Sequence, residues 1–223
     1  MSQAASKEGK YKFLVIDDHE SVLQSTVTTL QKKYPQAEIF QVQTSQEALS
    51  LFRAKKPELV IVDLQIPEKK GEKDRVNIGI ELLKELMSNN STLNIVVQSA
   101  EPRPLIRLKP MIINHEGGFT VVDKSSSMEE MLTRVDWSLR GANYTPAEIR
   151  CGLEIKKEWL QVLKLAFNEG LTDEAIAKEM SIAERTVGNY WAKIRDALSA
   201  YPEEGKNLKI QTEKRAREEG LID

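Results

Sequence analysis

Five side chains of the right kind for phosphoryl chemistry recur at corresponding places along the chain: Asp17 with Asp18, Asp63, Ser99 and Lys124. Each closes a short apolar run: KFLVID, LVIVD, LNIVVQS and FTVVDK. Three carboxylates brought to one place repel one another and need a cation, and hard oxygen ligands with room for water suit Mg²⁺. Held there, the Asp63 carboxylate can attack a phosphoryl donor as a nucleophile. The cation and Lys124 would neutralise charge on the transferring group, and Ser99 can donate a hydrogen bond to a phosphoryl oxygen. His19, next to the acidic pair, reads as a loop residue near the site rather than a ligand.

The elements that must position these residues alternate. Strands are expected at 12–17, 37–42, 59–64, 93–99 and 119–124. Helices are expected at about 21–34, from the Thr44/Glu47 capping box to Lys55, and at about 78–87, 104–114 and 128–139. The third run is almost wholly apolar, as a central parallel strand requires. Five strands alternating with five helices predict a five-stranded, doubly wound parallel sheet, in which ligands sit beyond the carboxyl ends of the strands. All five residues would then converge on one edge.

This constellation, carried by VIDDH (15–19), VDLQIP (62–67), QSA (98–100) and DKSSS (123–127), resembles the receiver domain of two-component response regulators over Tyr11 to Arg140. The resemblance implies a flavodoxin-like fold, with Asp63 as phosphoacceptor. Asp17, Asp18 and Asp63 would be Mg²⁺ ligands, and Ser99 and Lys124 the phosphate switch. Three features depart from the family pattern. A charged insertion spans 68–77. Val121 stands where a switch aromatic is usual. Three prolines fall within 100–110, where the family has a loop and helix that move on activation.

Strand patterns stop after Arg140. Thr145-Pro146-Ala147-Glu148 opens a helical region with a cap, a proline at the first helical position and a capping glutamate. The stretch 160–198 resembles the helix-turn-helix of the LuxR/NarL class. One helix ends at Gly170, Thr172 caps a second, Ser181-Ile182-Ala183 makes the turn, and a recognition helix runs from Glu184 to Leu198. Val187, Trp191, Ile194 and Leu198 form its core stripe. Its other face offers Arg185, Thr186, Asn189, Lys193 and Arg195 to DNA. Asn and Arg suit base edges, and Lys193 and Arg195 suit phosphates. Gly188 stands where a DNA-contacting lysine is usual, and Tyr190 where histidine is common.

The chain of 223 residues suits two small domains of about 100–150 residues. The expected divisions are a disordered N-terminus at 1–10, a receiver at 11–140, and a linker with a leading helix at 141–156. The helix-turn-helix follows at 157–201, then a charged tail at 202–223. The tail reads as a solvated surface helix; its lysines and arginines are opposed by Glu213, Glu218 and Glu219. The formal net charge is −2, and acidic residues slightly outnumber basic ones from Gly141 onward. DNA binding must therefore rest on a local patch and on dimerisation over paired half-sites. The start lacks a signal-peptide core, no run is long enough to span a membrane, and Cys151 has no cysteine to pair with, all of which point to the cytoplasm.

The sequence thus predicts a response regulator, phosphorylated by a sensor histidine kinase, that controls transcription as a DNA-bound homodimer. It would not be an enzyme in the ordinary sense. As a whole it is most similar to the stress response regulators of cyanobacteria and plastids. A phospho-regulated interaction adaptor with a degenerate DNA-binding domain is the alternative, motivated by the missing lysine and the balanced charge.

Overall fold

A computed structural model describes residues 11–150 and 155–223, without the side chain of Glu148. The expectations for 1–10, for Cys151 and for the Glu148 capping contact lie outside the described residues. The chain divides into two units: 1–102 with 111–145, and 103–110 with 146–223.

The first unit is built on parallel strands β1 (Lys12–Ile16), β2 (Glu38–Val42), β3 (Leu59–Val62), β4 (Asn94–Gln98), β5 (Phe119–Val122) and β6 (Asn143–Tyr144). Their order is β2-β1-β3-β4-β5-β6. Every residue of β3 is buried, so this strand can only be central. Helices α1 (Glu20–Lys33), α2 (Ser45–Lys55), α3 (Val76–Asn89) and α5 (Met128–Leu139) cover the sheet, and a short α4 (Lys109–Ile113) precedes β5. Leu23 and Leu30 of α1 and Met131 and Val135 of α5 share one apolar cluster with Phe13, Val15, Leu59 and Ile61. A fully buried side chain of this size contributes about 1.5–3 kcal/mol.

The sheet has six strands, not the expected five. β6 pairs with β5 through only two residues, Phe119↔Asn143 and Thr120↔Tyr144, and both β6 residues are exposed. Such a pair carries no apolar signature in the sequence. Ile66, just before the insertion, bridges Arg75 within it in antiparallel fashion, and Gly71 turns the loop at φ +88°. Helix α3 starts at Val76, inside the stretch expected to be loop. Its Gly79 lies so close to the chain after β3 that a Cβ there would stand 2.1 Å from the Leu64 carbonyl oxygen. The helix is thereby seated against the chain at Leu64, the residue after Asp63.

The second unit contains α6 (Ala147–Arg150), α7 (Lys157–Leu163) with a π-helical turn at Lys164–Asn168, and α8 (Asp173–Glu179). It continues with α9 (Glu184–Ala197) and α10 (Leu208–Glu218). It also takes in a 3₁₀ turn, Arg103–Leu108, from the stretch expected to form one helix over 104–114. One apolar cluster joins Ile106, Val162, Leu163, Ile176, Val187, Trp191, Ile194, Ala216, Leu221 and Ile222. The tail therefore corrects the surface-helix expectation: Thr212 and Ala216 are fully buried, and Leu221 and Ile222 are 3 % exposed. The charged pattern of α10 masked this, because only a narrow stripe and the two residues after Gly220 turn inward.

Candidate phosphoacceptor site and DNA-reading helix

Strand register brings the acidic residues together. Ile16 is level with Val62 and Val62 with Val97, while Gln98 is level with Val122. The next residues, Asp17, Asp63 and Ser99, therefore leave the sheet at the same edge, with Lys124 two positions past β5. The ladder runs on for one more step, since the Asp63 amide donates to the Ile16 carbonyl at 2.9 Å and the Ser99 amide to the Val122 carbonyl at 3.1 Å. Asp17, Asp63 and Ser99 are 3–4 % exposed, so these polar groups are held in a poorly solvated pocket.

Lys124 ties the pocket together. Its Nζ lies 2.7 Å from Asp63 Oδ2 and 2.8 Å from Asp17 Oδ2. Burial pushes the Asp63 carboxyl up from its ordinary value, against the opposing pull of the Lys124 hydrogen bond and charge. For Lys124, burial acts downward, but the bonds to Asp17 and Asp63 outweigh it, and its affinity for a proton is raised. The lysine is thus kept charged beside the Asp63 carboxyl. The Ser99 Oγ accepts from the Glu101 amide at 3.2 Å, which leaves its proton available to an incoming oxygen.

The residues fit a hard divalent cation. Asp17, Asp18, His19 and Asp63 each place one ligand atom within 4.8 Å of all the others. One oxygen of Asp18, Oδ1, is buried without a hydrogen bond, although His19 Nδ1 stands 2.7 Å away. That contact does not meet hydrogen-bond geometry, so an ion would satisfy this oxygen better. His19, set aside in the sequence, is therefore brought against the cluster as the N-cap residue of α1. No sequence signal distinguishes it from an ordinary loop histidine.

The second candidate site is α9. Thr172 Oγ1 accepts from the Ala175 amide at 3.3 Å and caps α8, and Ser181 takes a left-handed conformation (φ +54°) in the turn. Trp191 Nε1 donates to Asp173 Oδ1 at 2.9 Å, tying α9 to the start of α8, and its ring meets Phe167 edge-on at 5.6 Å. Val187, Trp191 and Ile194 are buried, as the helical spacing predicts. Arg185, Asn189 and Lys193 are exposed at four-residue spacing, so they share one face of the helix. Thr186 and Arg195 are only partly exposed. Arg195 lies 5.7 Å from the Trp191 ring, and its Nε is buried without a partner, which separates it from that face. On α10 and just before it, Lys206, Lys214, Arg215 and Arg217 pair with Glu203, Glu218, Glu218 and Glu213.

Among the described residues, no helix is long and apolar enough to cross a membrane. The chain is similar along most of its length to known regulators. It is 25% identical over 202 residues to the transcription regulator BvgA of Bordetella pertussis, covering 85% of this chain and 91% of that one. It is 23% identical over 194 residues to the DNA-binding transcriptional activator DevR/DosR of Mycobacterium tuberculosis, covering 82% and 86%. Its fold is similar to that of RcsB in a complex of that two-component response regulator with DNA: TM-score 0.56, 18% identity, 94% of this chain and 98% of that one. The response regulator receiver domain matches residues 13–136, more than half of the sequence. The acidic pocket and the parallel sheet lie within that span, and the chain belongs to the response regulator receiver family.

Proposed function

We propose that this response regulator takes a phosphoryl group on Asp63 from a sensor histidine kinase and thereby controls sequence-specific DNA binding by α9. The observation that carries the reading is Lys124 Nζ held between Asp17 and Asp63, at the edge where Ser99 also leaves the sheet. In this reading an Asp63 carboxylate oxygen attacks phosphorus, the bond from phosphorus to the donor's imidazole nitrogen breaks, and the nitrogen keeps the electron pair. Lys124 shifts from Asp63 to the arriving phosphoryl oxygens, and Ser99 donates its proton to one of them. Asp17, Asp18 and Asp63 would hold Mg²⁺, which supplies charge neutralisation for the transferring group. Burial excludes competing water and strengthens each of these contacts.

The exposed strip Arg185, Asn189 and Lys193 supports major-groove reading. Asn189 and Arg185 suit base edges, and Lys193 suits phosphate. Three contacts from one helix give weak binding, which favours a dimer on paired half-sites. The DNA complex of RcsB, whose fold is similar, supports the same reading. A reducing, cytoplasmic setting follows from the proposed partners.

The test is retention of genomic DNA fragments by the full-length protein, with and without Mg²⁺ and beryllofluoride as a mimic of phospho-Asp63. Selective retention that changes with the mimic and weakens with salt is expected. Absence of retention in both states would favour the adaptor reading instead.

A further inference from the structure

Residues 103–110 fall in chain order between β4 and β5, yet they are built into the helical unit. Ile106 lies in that unit's core with Val187, Trp191 and Ile194. Residues 218–223 hold the segment in place. The Arg103 guanidinium donates to the Glu218 carbonyl at 3.0 Å, and Arg107 Nε donates to the Gly220 carbonyl at 2.6 Å. Arg107 also bonds Asp223 Oδ1 at 2.9 Å, with its side chain only 11 % exposed. Gly220 ends α10 at φ +71°, and a Cβ there would stand 3.0 Å from Arg103 C and 3.1 Å from Pro104 N. Polar bonds, buried apolar residues and close backbone approach thus meet on one short stretch.

That stretch starts four residues after Ser99, whose Oγ already holds the Glu101 amide. Pro102 and Pro104 stiffen the link, so displacement at its start is passed on rather than absorbed. We propose that Leu208–Asp223 is a strap that clamps Arg103–Leu108 into the helical unit, and that a pull on Ser99 loosens this clamp. The state of Asp63 then reaches the DNA-binding helices through shared chain. The signalling half of this proposal rests on the phosphoacceptor reading; the clamp does not.

Hydrogen exchange on the full-length protein tests both halves. Gly220→Val should speed exchange of the amides of 105–109 by about tenfold or more while strand amides keep their rates. Asp223→Ala, which removes one side chain and keeps the fold, should speed them by a smaller factor. Unchanged exchange in Asp223→Ala and in any folded Gly220→Val protein would overturn the clamp. In the native chain, Mg²⁺ with beryllofluoride should slow exchange around 59–64 and 121–125 and speed it over 208–222. A response at the pocket without one in 208–222 would overturn the signalling route alone. No response at the pocket would overturn the phosphoacceptor reading and the route with it, while the two variants still decide the clamp.

Discussion

Lys124 Nζ and Asp63 Oδ2 lie 2.7 Å apart, and the same ammonium reaches Asp17 Oδ2 at 2.8 Å, so one cation restrains both buried carboxylates of the pocket. Removing it leaves like charges in a poorly solvated pocket. Lys124→Ala should lower unfolding free energy in metal-free buffer by about 2–4 kcal/mol. Mg²⁺ should restore more stability to the variant than it adds to the native protein. Urea titrations with and without Mg²⁺ check this, and equal increments for the two proteins would contradict it.

Gly79 carries a purely steric prediction. With a Cβ facing the Leu64 carbonyl at 2.1 Å, Gly79→Ala forces α3 away from the chain that follows Asp63. A loss of about 3 kcal/mol or more is expected, from overpacking against backbone that has nowhere to go. Thermal or urea unfolding reads it directly.

Asp136 accounts for a specific pH dependence. Burial tends to raise its carboxyl, but hydrogen bonds from Lys33 and Tyr34, with the Lys33 charge, hold it below the ordinary value of 3.8. A depressed acid stabilises the fold above its unfolded value and loses that contribution as pH falls through the folded one. Asp136→Asn should therefore cost stability at neutral pH and cost progressively less below about pH 4. Both partners are about a third exposed, so the neutral-pH loss should be only about 0.5–1 kcal/mol. Unfolding curves of both proteins across pH 3 to 7, the range around that value, check the sign.

On α9, Gly188 faces open space, with nothing within 4 Å of a Cβ built there. Gly188→Lys should stabilise the helix by about 0.5–1 kcal/mol and tighten DNA binding through an added cation. Arg195→Ala should act differently. Its packing near Trp191 predicts a loss of fold stability, whereas Asn189→Ala should leave stability unchanged and cost about 1–3 kcal/mol of binding at cognate sites. Paired unfolding and binding measurements separate these outcomes.

The pocket was legible because each of its residues follows a buried apolar run, and parallel register then makes convergence at one edge unavoidable. The core of α9 was legible for a similar reason, since Val187, Trp191 and Ile194 keep helical spacing. β6 was not, because two exposed residues, Asn143 and Tyr144, carry no periodic pattern. The buried tail was hidden too. Leu221 and Ile222 are only two apolar residues behind a charged helix, and the bond from Arg107 to Gly220 spans 113 residues of sequence. Contacts of that separation leave no local mark. Arg195 was assigned to the DNA face for its charge; four residues after Trp191, it shares that residue's side of the helix, where it lies 5.7 Å from the ring.

The most direct measurement is phosphorylation of the purified protein by a small-molecule phosphodonor, read by intact mass and by peptide mapping. One Mg²⁺-dependent, hydroxylamine-labile phosphoryl group is expected on the peptide containing Asp63 and is expected to be absent from Asp63→Asn. Labelling that persists in Asp63→Asn, or that proceeds equally well without a divalent cation, would contradict the phosphoacceptor reading.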